Sequence, residues 1–95
     1  MHIISKKKIE DFSKIHADAK NALLDWYKIL RNREFSNYVE LKLIFPSADM
    51  VGRRTVFNIG GNKYRLIARI NFLHKKVFIL HILSHVEYDK EKWKE

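Results

Sequence analysis

The stretch VFNIGGNKYRLIARINF, residues 56–72, predicts two antiparallel β-strands joined by a tight turn, because Gly-Gly-Asn separates two apolar runs. The glycines supply the positive φ angles that such a turn requires. Side chains alternate across a strand, so the face of the second strand that begins at Tyr64 is apolar throughout. The opposite face carries Lys63, Arg65 and Arg69, with no acidic residue beside them. The stretch therefore predicts a sheet with one face in the core and a basic row on the other.

A short strand and two helices are predicted at the start of the chain. The segment MHIIS, residues 1–5, is typical of an edge strand, and Ser5 can cap a helix over residues 6–16. A second helix, over about residues 19–33, has its apolar residues at the i, i+3, i+4 and i+7 spacing of one buried face. Asp18 can cap this second helix.

A third, short helix leads towards the hairpin. Ser36 or Asn37 can cap a helix over residues 38–45, which Pro46 stops because proline lacks the backbone N–H that the helix needs. Residues 46–52 are predicted to form a loop before the first strand of the hairpin.

A third strand and a charged terminal segment follow the hairpin. KKVFILHIL, residues 75–83, is apolar on both faces, as expected of a central strand. In regular alternation His81 falls in the same row as Val77 and Ile79, so it is interpreted as a structural histidine. Residues 85–95 are charged and predict a short terminal helix.

The order of these elements predicts one α+β domain over residues 1–95, with two or three N-terminal helices packed on a twisted antiparallel sheet and a short C-terminal helix. A length of 95 residues is that of a single domain. The absence of cysteine excludes a disulfide framework and a thiolate metal site. No apolar run approaches membrane-spanning length, so we expect a cytoplasmic protein without membrane association.

Positive charge is concentrated in the second half of the chain. Residues 1–50 hold nine Lys/Arg and seven Asp/Glu, whereas residues 51–95 hold ten and four, within a net charge of +8. Charge of one sign repels itself, so this distribution favours a nucleic acid or an acidic protein as partner. The stretch between Asp49 and Glu87 contains no acidic residue, and its basic residues are Arg53, Arg54, Lys63, Arg65, Arg69, Lys75 and Lys76.

The basic face predicts a phosphate site. Arg65 and Arg69 stand about 13 Å apart along one strand face, and guanidinium groups bind phosphate oxygens in pairs. At the end of the next strand His85 can act as general base or acid, since a histidine titrates near neutral pH. Tyr88, about one helical turn onward, can stack on a base. Taken alone, the same arginines are also compatible with solvated strand positions.

Two segments carry a family resemblance. FPSADMVGRRTVFNIGGNKYRLIARI, residues 45–70, followed by SHVEYDK, residues 84–90, resembles the HigB toxins of bacterial type II toxin–antitoxin pairs, in the RelE/ParE-like superfamily. The opening MHIISKKKI fits as well, so the resemblance covers nearly the whole chain. It implies a RelE-like fold with the active surface on the sheet face opposite the helices.

The resemblance implies an mRNA endoribonuclease that acts in the ribosomal A site on translated messages. Cleavage would proceed by attack of the 2′-hydroxyl on the adjacent phosphate, without metal and without cofactor. Arg65 would hold the scissile phosphate, and His85, with Tyr88 beside it, would be the acid or base. The division of proton transfer between these two residues and the lysines stays open. The RNA contacts expected from position are Lys63, Arg69, Arg53 and Arg54.

The resemblance also implies partners, and two other functions remain open. The partners would be a HigA-like helix-turn-helix antitoxin, the small ribosomal subunit and mRNA, with a toxin that is monomeric alone and hetero-oligomeric with its antitoxin. One alternative is a non-enzymatic ParE-like toxin that acts on DNA gyrase. The other is an RNA-binding module without catalysis.

Overall fold

A five-stranded sheet with helices against one face organises the chain, and the computed structural model describes residues 1–94. The predicted α+β class is confirmed. Short 3-10 turns occur at Ala17–Ala19 and Lys92–Lys94. The remaining elements are β1 (His2–Ile4), α1 (Lys7–Ile15), α2 (Lys20–Asn32), α3 (Tyr38–Ile44), β2 (Asp49–Val51), β3 (Arg54–Ile59), β4 (Tyr64–Asn71), β5 (Lys76–Ser84) and α4 (His85–Asp89).

The sheet has the strand order β1-β5-β4-β3-β2. Strands β3 to β5 pair antiparallel, as predicted, and so do β2 and β3, whereas β1 runs parallel to β5. Parallel strands need a long connection between them, and here the chain between β1 and the hairpins includes the helices α1 and α2. The loop predicted over residues 46–52 contains β2, a short edge strand that pairs with β3.

The main core lies between the helices and the inner face of the sheet. Phe57 on β3 contacts Trp26 of α2 and Phe45 edge-on, with ring centroids 5.4 Å and 5.1 Å apart. The predicted inner face of β4 is confirmed, since Tyr64 and Leu66 are buried there. Each large apolar side chain removed from water stabilises the fold by about 1.5–3 kcal/mol.

Two predicted helix caps are wrong and one is confirmed. Ser5 has a φ of 75°, and α1 begins after Lys6 without a side-chain cap. Asp18 lies inside a 3-10 turn, and its carboxylate accepts a hydrogen bond from the Tyr64 hydroxyl at 2.8 Å, so a tertiary contact takes the oxygen that would have capped α2. Asn37 does cap α3, because its side-chain oxygen accepts from the Glu40 N–H at 2.9 Å.

A β-bulge in β5 changes the faces of its second half. Ile67 of β4 pairs with His81 while the next residue, Ala68, pairs with Ile79, so Leu80 is an extra residue in β5. Alternation is therefore interrupted at Leu80, and His81 lies on the face opposite Ile79. The prediction that His81 lies in the same row as Val77 and Ile79 is wrong for this reason.

The C-terminal segment covers part of the outer face. Helix α4 begins with a capping box in which Ser84 and Glu87 satisfy each other's backbone N–H groups. The chain then returns over the sheet, and Trp93 packs on Val56 and Ile67 to form a second, smaller core. The last position of the predicted terminal helix, Glu95, lies outside the described residues. None of the helices in the described chain combines the length and apolarity needed to cross a bilayer.

Candidate active site

Arg65 occupies the middle of the outer face of the sheet. It pairs with Asn58 of β3 and Leu83 of β5, and only 9% of it is exposed. Its Nη1 donates to the Tyr64 carbonyl at 3.1 Å. Within residues 1–94, no carboxylate comes within ion-pair distance of an arginine. A nearly buried cation without an anionic partner is costly, so this guanidinium is suited to receive an anion from outside the chain.

Tyr88 covers the guanidinium of Arg65. The Arg65 Cζ lies 5.5 Å from the centre of the Tyr88 ring, a cation–π distance. Trp93 stacks on the other side of Tyr88 at 5.0 Å and 13°, and the Trp93 Nε1 donates to the Tyr88 carbonyl at 2.9 Å. The structure thus brings two predicted residues, Arg65 and Tyr88, into contact through a stack that fixes the tyrosine ring.

Trp93 was not predicted to belong to this site. It stands in a charged tail, yet it is 4% exposed against the outer face. The signal that sequence reasoning could have used is the presence of Val56 and Ile67 at outward positions of their strands, because two such apolar residues need a cover.

His85 is the first residue of α4 and its side chain is half exposed. Its backbone N–H donates to the Lys63 carbonyl at 2.9 Å, which anchors α4 beside the hairpin turn. Its Nδ1 lies 3.1 Å from the Asp89 carboxylate. That contact orients the ring and leaves Nε2 available to exchange a proton.

Lys63 is separated from the basic row to which the sequence assigned it. It lies in the hairpin turn, and its Nζ is 3.5 Å from the Asp18 carboxylate on the helix side of the sheet. The Tyr64 hydroxyl, supported by Lys63, holds the pKa of Asp18 below its ordinary value, while the same hydrogen bond raises the pKa of Tyr64. The Lys63 side chain remains 70% exposed, so its ammonium is still accessible at the turn.

Three other predicted residues are brought together. Arg53, Arg54 and Arg69 line a surface groove of about 360 Å³ with Leu80 of the bulge. Arg53 and Arg69 are exposed, and the Arg54 Nη1 lies 3.4 Å from the Lys94 carbonyl. This cluster of arginines gives the outer face a strongly positive edge.

His81 also lies on the outer face. It lines a groove with Lys8 and Asp11 of α1 and a second groove with Glu87 of α4 and Lys90, which follows that helix. Partial burial lowers the pKa of His81, and the nearby positive charges of Lys8 and Arg54 lower it further. The imidazole is therefore mostly neutral at neutral pH. The described residues hold no group of three or more His, Cys, Asp or Glu side chains arranged as metal ligands.

Comparison with known proteins gives consistent matches over most of the chain. The family model HigB_toxin, described as the RelE-like toxic component of a toxin–antitoxin system, matches residues 19–91. The mRNA interferase HigB of Escherichia coli O6:H1 is 39% identical over 93 residues, which cover 95% of this chain and 90% of that protein. The mRNA interferase toxin HigB of Escherichia coli K12 is 32% identical over 92 residues, covering 94% and 88%. The mRNA interferase HigB of Shigella flexneri matches with the same identity and coverage.

Proposed function

Because the chain belongs to the HigB toxin family, the RelE-like toxic components of toxin–antitoxin systems, we propose that it is an mRNA interferase that cuts translated messages in the ribosomal A site. The names of its relatives support the endoribonuclease activity. The basic outer face supports a substrate held by its phosphates. Translation takes place in the cytoplasm, which is therefore the expected compartment.

The environment of Arg65 carries the proposal. Its guanidinium is nearly buried, uses one N–H on the Tyr64 carbonyl and lies beside no carboxylate among the described residues. A guanidinium has five N–H donors, so several remain for the oxygens of a phosphodiester. During attack by the 2′-hydroxyl the phosphorus gains an additional bond and its oxygens gain negative charge. A preorganised cation at that point stabilises the transition state more than the ground state.

Proton transfer is assigned to the residues beside Arg65. His85, oriented by Asp89, presents an imidazole nitrogen that can give a proton to the leaving 5′-oxygen. Tyr88 holds the guanidinium in place through its ring, which contacts Arg65 on one face and Trp93 on the other. This mechanism uses side chains of the protein only.

The remaining basic residues bind the RNA backbone in this proposal. Arg53, Arg54 and Arg69 form a groove beside the site, and Lys63 adds a charge at the hairpin turn. Contacts of this kind position a strand without reading its bases. They also suit the ribosome, whose RNA presents a dense array of phosphates.

The partner that the family implies is an antitoxin. In this proposal it is a HigA-like helix-turn-helix protein, and the toxin is monomeric alone and hetero-oligomeric when neutralised. A net charge of +8 favours acidic segments in that antitoxin.

Reconstituted translation provides the test. Programmed ribosomes are mixed with the parent, with Arg65→Ala and with Arg33→Ala, and cuts in the message are mapped by primer extension. Arg33 is an exposed residue at the end of α2 and serves as the matched control. We expect Arg65→Ala to cut about 10²–10³-fold more slowly, as is typical when a transition-state donor is lost, and Arg33→Ala to cut like the parent.

Two results would overturn the proposal. One is an Arg65→Ala variant that cuts at the parental rate while its circular dichroism matches the parent. The other is a parent that leaves messages intact; DNA breaks in induced cells would then identify gyrase as the target, and harmless tight RNA binding would identify a module without catalysis.

A further inference from the structure

The bulge at Leu80 places His81 among the arginines of the outer face. His81 pairs with Ile67, and the residues two positions before and after Ile67 on β4 are Arg65 and Arg69. Bulges often redirect a side chain next to an active site. Directly paired residues in an antiparallel sheet have Cα atoms about 5 Å apart, so His81 is a diagonal neighbour of both guanidinium-bearing residues.

The register also places Arg65 between two histidines. Arg65 pairs with Leu83, which is two residues after His81 and two residues before His85. The register therefore places Arg65 opposite the midpoint between His81 on β5 and His85 at the start of α4. General acid–base cleavage of a phosphodiester needs this arrangement, because one group removes a proton on the attacking side and another supplies one on the leaving side.

His81 is partly exposed, and its ring makes no hydrogen bond or ion pair with the residues that the structure describes. Of the histidines in the described chain, His16 and His85 use ring nitrogens in polar contacts, whereas His81 does not. Its side chain borders two adjoining surface grooves of about 330 and 360 Å³. The charged groups around it are Lys8 and Asp11 of α1, Arg65 and Arg69 of β4, Arg54 of β3, Glu87 of α4, and Lys90 just after α4.

The neutral form of His81 is the form that accepts a proton. Burial, Lys8 and Arg54 all disfavour the imidazolium, which keeps a nitrogen lone pair available at neutral pH. His85 has a different environment, since its Nδ1 contacts the Asp89 carboxylate. The two histidines therefore differ in their immediate partners, as two groups with different roles in one reaction would.

We propose that His81 is the general base of the cleavage reaction, an inference that rests on the function proposed above. Its imidazole takes the proton of the 2′-hydroxyl, and the 2′-oxygen forms a bond to phosphorus. The bond from phosphorus to the 5′-oxygen breaks, and that oxygen takes a proton from His85. The products are a 2′,3′-cyclic phosphate and a 5′-hydroxyl end, with no redox change and no further reactant.

The first experiment compares His81→Gln with His74→Gln in single-turnover cleavage of ribosome-bound mRNA. His74 is exposed in the turn before β5, away from the bulge, and is the matched control. We expect His81→Gln to cut about 10²–10⁴-fold more slowly, the usual effect of losing a general base, with ribosome binding unchanged. His81→Asn, a smaller replacement, repeats the test if the first variant unfolds.

The second experiment separates the base from the acid. A message with sulfur in place of the 5′-oxygen at the cut site has a leaving group that needs no proton. This substrate should restore cutting by His85→Gln and leave His81→Gln slow. Restoration of His81→Gln instead would contradict the assignment.

The two proposals fail in distinguishable ways. If the parent and His74→Gln do not cut at all, the proposed function is wrong. If the parent cuts, Arg65→Ala does not, and both His81 variants cut within about threefold of the parent, only the assignment of His81 is wrong.

Discussion

The Tyr64 hydroxyl donates to the Asp18 carboxylate at 2.8 Å, which links β4 to the turn between α1 and α2. Tyr64 directly precedes Arg65, and its carbonyl accepts the guanidinium N–H. The contact therefore joins the helix layer to the strand that carries the proposed phosphate site. It also explains why Asp18 is unavailable as a helix cap.

Stability should depend on pH through Asp18. The pKa of this carboxyl is lowered in the folded chain, so its contribution is fully present above the unfolded pKa of about 4 and is lost as pH falls through the folded pKa. Asp18→Ala should melt below the parent at pH 7, and the difference should shrink on acidification. Calorimetry from pH 7 down to pH 3 measures it. A constant difference over that range would contradict the assignment, and Asp25→Ala, an exposed carboxyl on α2, is the control.

Removing Trp93 should uncover the outer core and release Tyr88. Trp93→Ala loses the packing on Val56 and Ile67, and truncation of a buried tryptophan typically costs about 3–5 kcal/mol. Trp93→Phe keeps an aromatic ring and loses mainly the hydrogen bond to the Tyr88 carbonyl, about 1 kcal/mol. Urea unfolding followed by circular dichroism measures both. Equal stability of the two variants would show that the ring contributes no packing.

Salt dependence should report the arginine groove. Loss of one phosphate contact to single-stranded RNA reduces the slope of log binding constant against log salt by about 0.7. Arg69→Ala should therefore weaken binding of an RNA oligomer at low salt and flatten its salt dependence, while Arg33→Ala leaves both unchanged. Fluorescence anisotropy at several salt concentrations measures the slopes, and parallel lines for parent and Arg69→Ala would exclude this contact.

Deletion of Leu80 should be tolerated better than deletion of Phe78. Removing Leu80 leaves Ile79 opposite Ala68 and His81 opposite Ile67, so the register of both halves is kept. Deletion of Phe78 shifts the strand by one residue between Val77 and Ile79, which moves buried positions to the wrong face. We expect the first variant to lose roughly 1–3 kcal/mol and the second to fail to fold. Thermal melting compares the two, and the opposite order would disprove the bulge.

The sequence predicted those features of the fold that depend on residues close together in the chain, such as strand faces and helix caps. The alternation on β4 identified the inner face that holds Leu66, and the cap at Asn37 follows from its position before a helical run. The bulge at Leu80 escaped prediction because one inserted residue leaves no mark in an all-apolar strand. Asp18 and Lys63 were misplaced because a contact between distant segments took both side chains.

The sequence identified the basic residues of the candidate site but not the aromatic stack that lies against them. Arg53, Arg54 and Arg69, each predicted as an RNA contact, line one groove. The stack of Trp93 on Tyr88 above Arg65 depends on the path of the chain after α4, which no periodicity encodes. The prediction of an open basic row is therefore wrong at Arg65, whose guanidinium lies against the ring of Tyr88.

The parallel pairing of β1 with β5 sets the order in which the protein can be completed during synthesis. The sheet joins its N-terminal strand to its last strand, so β1 has no partner until β5 has been made. Pairings between such distant segments form late in folding because long loops must close first. His81 and His85 lie on β5 and just after it, and a chain interrupted before β5 lacks both. A chain that stops before β5 thus has an unfinished sheet, and His81 and His85 are present only once β5 and the start of α4 have been made.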